Sequence, residues 1–600
     1  IMFTKNLILA ASLSAIVISN SANAVIGPIK ISLNTEYRVS NPVIGSIASI
    51  IKLDKAAIKR TGAVTFTGLL ESIPSVSFEG GQGNLQALRI RGNEASHTLL
   101  LLDGQEVSAG GTQPNLDAIP LDQIERIEIT KGPFSSLYGP GAIGGVIHVF
   151  TDKGIDSITR SKVDFSYGTH GTSKVNLNTF VKGETSYLDV SLTDFHTDGI
   201  DALGLAVNNG EKDSIDRQTL GLNFGSQVSD KTSISLNILN TNADIQYDDA
   251  SEGGQFASAV KPDNNLKQIG FGVSQQINDN FKINVDITDQ NTKRRGKKYS
   301  LNTLSVINEL DLKNSKLSLG LSNYLDKDFS ASTETEHTDW FGQWQGLVSN
   351  NELSFGARLI DHDKFSTHTT YNFNWARDLS SSLRVSGSYG SATNLPDHYS
   401  NNLNIVAGKT ALKPERSKNI EAGLSGIYGW GNIGIKLYKS KVNDAFGYVY
   451  AVVGGVPAHY KNVGIINMKG AELSIGTDLL GWDLNTTIDV GKAIQSAGDN
   501  AGLRKARRPN RSISLNLSKT SGKWKRNINW TAKSRTQDKD NHSNGENGGY
   551  ALLNLSTSYD FTEDLTVYLN RNNALDKDYE MAKGYKTLGK TSTLGLTYTF

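Results

Sequence analysis

The stretch IERIEITKGPFSSLYGPGAIGGVIHVFTDKG, Ile124 to Gly154, sets two β-prone runs around a spacer that holds five glycines and two prolines. A phosphate-cradling loop needs a helix directly after its glycines, because the helix N-terminus supplies the free N–H groups that hold the anion. Here the glycines run into VIHVF, which reads as a strand. They therefore serve packing, by permitting close backbone approach or positive φ between strands. The fold has to be one that needs a tight strand-loop-strand unit early in the chain.

Composition narrows the class. The chain of 600 residues carries a net charge of +1, which leaves no electrostatic footprint for nucleic acid. It contains no cysteine, so disulfide scaffolds, thiolate zinc sites and thiol nucleophiles are excluded together. Lys5 precedes the apolar run Leu7 to Ile18, and Ala22 and Ala24 make an A-x-A site. Residues 1–24 read as a secretory signal peptide cleaved after Ala24, and 25–45 as a leader. Beyond residue 24 no segment approaches the ~20 consecutive apolar residues of a membrane helix. An exported chain of this kind can sit in a membrane only as a barrel.

Periodicity supplies that barrel. After about residue 158, runs such as KVDFSYG, TSISLNIL, FKINVDIT, KLSLGLS, RSISLNLS and DLTVYLN alternate apolar and polar residues. Roughly 22 such runs follow one another, in the range where a barrel is wide enough to need a plug. All seven tryptophans lie at or beyond Trp340, as interfacial girdles would place them, although the earlier strands use none. The closing TSTLGLTYTF sets Leu594, Leu596, Tyr598 and Phe600 on one face, as suits a strand that pairs with the first and faces lipid.

Three motifs in order, Arg89 to Gly92, Leu102 to Gly104 and Lys131 to Val146, lie in a segment from Ser46 to Gly154 that resembles the plug of TonB-dependent outer-membrane receptors. ATNLPDHY (Ala392 to Tyr399), ALKPERS (Ala411 to Ser417) and NALDKDYE (Asn573 to Glu580) are similar to barrel signatures of the same family. Within it, RGNEASHTLLLLDG and the block Asn573 to Phe600 are most similar to vitamin B12 (cobalamin) receptors, with Lys131 standing where Arg is usual and His148 where Asn is common. The resemblance implies an all-β transmembrane barrel over 155–600, an α+β plug over 46–154 in its lumen, and no enzymatic activity. It also implies a Gram-negative outer-membrane location and active uptake of a large scarce nutrient. No nucleotide site is read in the chain, so the work must come from the TonB complex, captured by strand addition at a leader segment. Ile29, Lys30, Ile31, Ser32 and Leu33 form the candidate TonB box, and a plain flexible leader is the alternative.

The resemblance places Arg91 and Lys131 of the plug against Glu421 and Glu472 of the barrel, as buried ion pairs or as residues facing lumen water. Substrate contacts are expected at two plug apices: Gln82, Gly83, Asn84, Leu85 and Gln86, then Ser108, Gly110, Gly111, Thr112 and Gln113. Small and glycine residues there allow close approach of a bulky ligand. Between Asp194 and Asp263 lie twelve Asp or Glu against four Lys or Arg, a concentration that repels itself unless neutralised. Ca²⁺, which takes oxygen ligands from flexible loops, is the candidate ion. The family pattern falls on Asp201, Glu211, Asp213, Tyr247, Asp248 and Asp263, and an acidic solvated surface is the alternative. His398 raises a haem reading, since related haem receptors carry an axial His in this region. A ferric siderophore is a further candidate substrate, and a passive porin or adhesin is the reading from outside the family.

Overall fold

The computed structural model describes residues 43–45, 47–78, 80, 86–111, 113–151, 159–203, 212–248, 263–294, 296–449, 457–498 and 500–600. The signal peptide and the candidate TonB box Ile29–Leu33 lie outside the described residues.

The opening stretch builds the middle of a five-stranded sheet. Its strands run in the order β1 (Ser49–Asp54), β6 (Ile124–Lys131), β7 (Gly145–Thr151), β4 (Thr98–Leu102), β5 (Gln105–Glu106). β4 and β7 pair in parallel and the other neighbours antiparallel. Two short strands, β2 (Val76–Phe78) and β3 (Leu88–Ile90), form a separate pair. Helix α1 (Lys55–Thr61) starts where the Asp54 side chain accepts a hydrogen bond from Ala57 N at 2.6 Å and ends at Gly62 in the left-handed conformation. Helix α2 (Phe66–Glu71) buries Phe66, Leu69 and Leu70 against Ile127, Ile129, Ile147 and Val149 of the sheet. That apolar core binds the plug's helices to its sheet and takes in Leu239 and Leu266 of the barrel wall.

The glycines answer to this packing. After β6 comes a one-turn helix α3 (Ser135–Tyr138), then Gly145 opposite Lys131 at the start of β7. Gly145 has φ +153°, and a Cβ there would lie 2.3 Å from the Thr130 carbonyl oxygen.

Around the plug, 22 antiparallel strands close into a barrel, from β8 (Arg160–Gly168) to β29 (Thr591–Thr599). The last strand pairs with the first: Leu596 lies opposite Phe165, and Ser161 and Phe600 exchange backbone hydrogen bonds of 2.8 Å. Closure leaves no unpaired edge in the ring. The usual inside-outside rule is inverted. Phe165, Phe271, Leu319, Trp340, Phe355, Leu437 and Leu594 point outward and are exposed, while Asn176, Thr219, Gln268, Gln290, Gln343 and Asn374 are buried toward the lumen. Such a surface is stable only when lipid covers it.

One rim is closed by short turns, such as those between Tyr428 and Gly431, Leu479 and Trp482, and Ser521 and Trp524. Aromatic residues gather there: Tyr428 stacks on Trp430 at 5.8 Å, Trp524 meets Tyr559 at 4.8 Å, and Tyr598 stacks on Phe600. Short turns mark the periplasmic end, and the aromatic girdle marks its membrane interface. The longer connections, including residues 197–215, 394–415 and 495–511, rise from the opposite, outer rim.

Gly145→Ala should destabilise the plug by ~1–3 kcal/mol, because the added methyl meets backbone that cannot move aside. Gly548→Ala, where a Cβ meets nothing within 4 Å, should leave stability unchanged. Thermal unfolding and limited proteolysis of the two purified variants check this.

Candidate functional site

The plug is held to the wall by charges brought from four distant parts of the chain. Arg91 follows β3, Lys131 ends β6, Glu421 lies in β21 (Glu415–Tyr428) and Glu472 in β23 (His459–Leu479). Arg91 donates to Glu472 through Nε and Nη2, both at 2.9 Å, and to Glu421 through Nη1 at 2.7 Å. Lys131 Nζ lies 2.9 Å from Glu472, and Lys436 Nζ 3.4 Å from Glu421. The Tyr438 ring sits beneath the Arg91 guanidinium at 4.3 Å. Burial opposes the charge on Arg91, but Glu472 and Glu421 overcome it and hold its pKa well above the ordinary value. The four residues are thus brought together as a desolvated cluster.

A second tie, absent from the sequence reading, lies nearer the outer rim. Glu94 of the plug meets Arg508 at 2.6 Å, Lys505 at 3.2 Å and Arg89 at 3.5 Å. Lys505 also pairs with Asp540. Burial alone would raise the Glu94 pKa, yet Arg508, Lys505 and Arg89 drive it well below the carboxylate range. Below it in the same wall, His97 Nε2 meets Glu415 at 2.7 Å. The RIRGNE run carried one signal of this tie, a glutamate five residues after Arg89. Its barrel partners lie some 400 residues away and have no local signature.

Between the plug and the outer connections lies a cavity of about 1080 Å³. Its described lining combines Tyr299, Tyr399, Tyr448 and Tyr460 with seven Lys or Arg and six Asp or Glu, so groups of both signs are mixed along the wall. Burial, with Asp326 and Asp339 nearby, pushes the Glu106 carboxyl up to about 8, so it is a hydrogen-bond donor at neutral pH. Mixed donors, acceptors and aromatic faces of this kind suit a large polar ligand.

The expected apex residues divide. Gln82, Gly83, Asn84, Leu85 and Thr112 lie outside the described residues. Gln86 is half-buried, and Ser108, Gly110, Gly111 and Gln113 line the cavity. Two of these also serve the fit of the plug to the wall. A Cβ at Gly110 would lie 2.4 Å from the Tyr299 ring, and one at Gly111 2.7 Å from Asp397 Cβ. These glycines therefore let the apex touch the barrel wall, where Gly110 N donates to Asp326 at 2.8 Å. Gln113 spends its amide inside the plug, donating to Ala95 O at 2.9 Å and accepting from Leu88 N at 2.8 Å.

Of the expected Ca²⁺ ligands, Glu211 lies outside the described residues, and of Asp263 the strand position alone is described. Asp213 and Asp248 converge. Asp213 Oδ2 accepts from Ala202 N at 3.1 Å and Asp248 Oδ2 from Leu203 N at 3.0 Å, both carboxylates being buried. Asp201 precedes that pair of N–H groups and Tyr247 precedes Asp248, itself buried. Among the described residues no group of three or more His, Asp or Glu side chains is gathered at metal-binding distances. His398, at the start of helix α4 (His398–Val406), engages Thr333 at 2.9 Å and Thr335 at 3.3 Å through its two nitrogens. Neither nitrogen is held ready for an axial iron, which counts against the haem reading. GYKTLGKT, Gly584 to Thr591, has the letter spacing of a phosphate loop, which the sequence reading missed. It feeds strand β29 rather than a helix and so lacks the N–H cradle.

Comparison with known proteins fits this architecture. Residues 42–146 match the TonB-dependent receptor plug domain, and residues 152–574 match the TonB-dependent receptor-like β-barrel. The chain belongs to the TonB-dependent receptor family. Such a receptor is a transporter of the Gram-negative outer membrane and not an enzyme. The receptor is 24% identical over 603 residues to the vitamin B12 transporter BtuB of Vibrio cholerae serotype O1, covering 94% of this chain and 95% of that one. It is 25% identical over 595 residues to BtuB of Photobacterium profundum, with the same coverage. Among solved structures it resembles the ferric enterobactin receptor PfeA (TM-score 0.78, 14% identity, 92% and 99% covered). It also resembles the copper transporter OprC (0.77, 16%, 93% and 100%) and the siderophore receptor PirA of Acinetobacter baumannii (0.76, 16%, 92% and 98%). At these identities the structural likeness establishes the fold alone.

Glu472→Ala leaves Arg91 and Lys131 buried without their shared partner and should weaken the seat of the plug by ~3–5 kcal/mol. Glu421→Ala should cost less, because Arg91 keeps both bonds to Glu472. Entry of a bulky antibiotic such as vancomycin into cells carrying each variant reads the leak, and equal sensitivity of both to wild type contradicts the expectation.

Proposed function

We propose that this receptor binds cobalamin at the outer cavity and passes it to the periplasm when TonB pulls on the leader. The observation that carries this reading is likeness to B12 transporters over nearly the whole chain, whereas siderophore and copper receptors resemble it in fold at 14–16% identity. The mixed donors, acceptors and tyrosine faces of the cavity lining agree with it. Cobalamin is a large, amide-rich molecule whose hydrogen bonds need donors and acceptors together, while a multiply anionic ferric siderophore favours a net cationic wall.

The transport step follows from the geometry of β1. It is an edge strand, held by β6 on one side alone, so it detaches at less cost than the strands paired on both sides. Its first residue, Ser49, lies opposite Lys131, and Ser49 Oγ donates to Glu472 at 3.0 Å. Force applied through Ile29 to Leu33 by strand addition passes through the wall contacts of Gly45 and Ile47 to β1 and then to the ion cluster. Loosening that cluster frees the plug to move and opens a path.

Asp201, Asp213, Tyr247 and Asp248, with Glu211 and Asp263, are proposed to hold Ca²⁺ in the outer connections. The donor set fits: oxygen ligands dominate, and two buried carboxylates already meet on adjacent residues, Ala202 and Leu203. The ion would order the acidic connections before the ligand arrives and so reduce the entropy lost on capture.

Titration of purified receptor with cyanocobalamin, ferric enterobactin and haem tests the substrate. Saturable binding of cyanocobalamin alone is the expected result, and preference for either iron complex overturns it. For Ca²⁺, calorimetry on chelator-treated protein should show direct binding and a raised thermal midpoint. Both effects should be weakened in Asp213→Asn and Asp248→Asn and intact in Asp230→Asn, which lies in a periplasmic turn.

A further inference from the structure

A second large cavity, about 870 Å³, lies at the other end of the lumen between the plug and the short-turn rim. It is lined by plug helix α1 on one side and by the barrel wall, including Gly431, Thr477 and Ser518 near the turns, on the other. Its charge is unlike that of the outer cavity. Eight Lys or Arg face it against three Asp. Lys174 engages two of those carboxylates, Asp122 at 2.6 Å and Asp164 at 3.0 Å. None of the ion pairs among the described residues involves Lys59, Arg60 or Lys162.

Lys59 comes from the plug and Lys162 from β8 of the barrel, and both line this cavity. Two cationic side chains that share one lumenal space repel each other, and an anion held between them would relieve that repulsion. Desolvation and the neighbouring Lys162 lower the Lys59 pKa to about 7, with Asp164 opposing them in part. The plug side of this cavity is also fixed in place: Asn527 Nδ2 donates to Arg60 O at 3.1 Å and Asn572 Nδ2 to Gly62 O at 2.9 Å.

We propose that this inner cavity is an anion-binding vestibule, in which a small phosphate- or carboxylate-bearing molecule bridges Lys59 of the plug to Lys162 of the barrel. The bound anion ties α1 to the wall, and movement of α1 releases it into the periplasm. The anion is either a free periplasmic solute or an anionic group on the transported molecule itself.

Pyrophosphate serves as the probe, titrated at low ionic strength into the purified full chain and followed by ³¹P line broadening. Saturable binding is expected, weakened at least tenfold by Lys59→Gln and by Lys162→Gln. It should be retained in Lys59→Arg and in Lys313→Gln, an exposed rim lysine outside the cavity. No saturable binding by wild type, or undiminished binding by the Lys59→Gln/Lys162→Gln double variant, overturns the proposal. Cyanocobalamin and dicyanocobinamide, which differ by a phosphodiester-bearing nucleotide, separate the two sources. Displacement of pyrophosphate by cyanocobalamin alone assigns the site to cargo, and displacement by neither assigns it to a free anion. Because the pyrophosphate titration needs no cobalamin, its failure leaves the substrate reading standing, and failure of cobalamin binding leaves the vestibule standing.

Discussion

Arg91, Lys131, Glu421 and Glu472 meet where water cannot solvate them, and that desolvated cluster is the constraint on which the receptor's two states depend. Each charge is tolerable because the others are present. The plug is consequently held by an interaction that is strong when complete and unfavourable when broken in part. A seat of this kind resists thermal drift yet gives way when one partner is displaced. Ser49, the first residue of the edge strand, already touches Glu472, so displacement can begin at the end of the plug nearest the leader.

The barrel around that cluster was legible because a lipid-facing wall around a polar lumen imposes a period of two on every strand. Leu594, Leu596 and Tyr598 announce it in the last nine-residue strand, and all three are exposed on one face. The glycine-rich spacer was legible as packing, and Gly145 is the residue where the packing is tightest. The four cluster residues were legible through resemblance in the motifs that contain them. What stayed hidden was pairing across the chain. Glu94 finds Arg508 and Lys505 in an outer connection, and nothing in the local sequence of either segment encodes the other. The apex glycines carry a constraint the sequence did not announce, since Gly110 and Gly111 also admit Tyr299 and Asp397 of the wall.

The two ends of the lumen differ in electrostatic character. The outer cavity mixes groups of both signs and adds tyrosine faces, whereas the inner cavity is strongly cationic. A molecule crossing from one to the other moves between unlike fields, with the plug sheet as the partition. The Glu94 tie governs the outer side of that partition and the Arg91 cluster its middle, so the plug is secured at two depths rather than hung from one.

Closure of the ring between Thr591–Thr599 and Arg160–Gly168 also dictates an order of assembly. The plug leaves the ribosome first, carrying Arg91 and Lys131, but Glu472 follows hundreds of residues later and the wall is complete only when the final strand meets β8. Until then the two cations have no enclosed partner and must stay hydrated. The cluster is therefore complete only when the strands that carry Glu421 and Glu472 stand around the plug. The same cluster that seats the mature plug would then act during biogenesis as a checkpoint, favouring closure around a plug that is already folded and correctly turned.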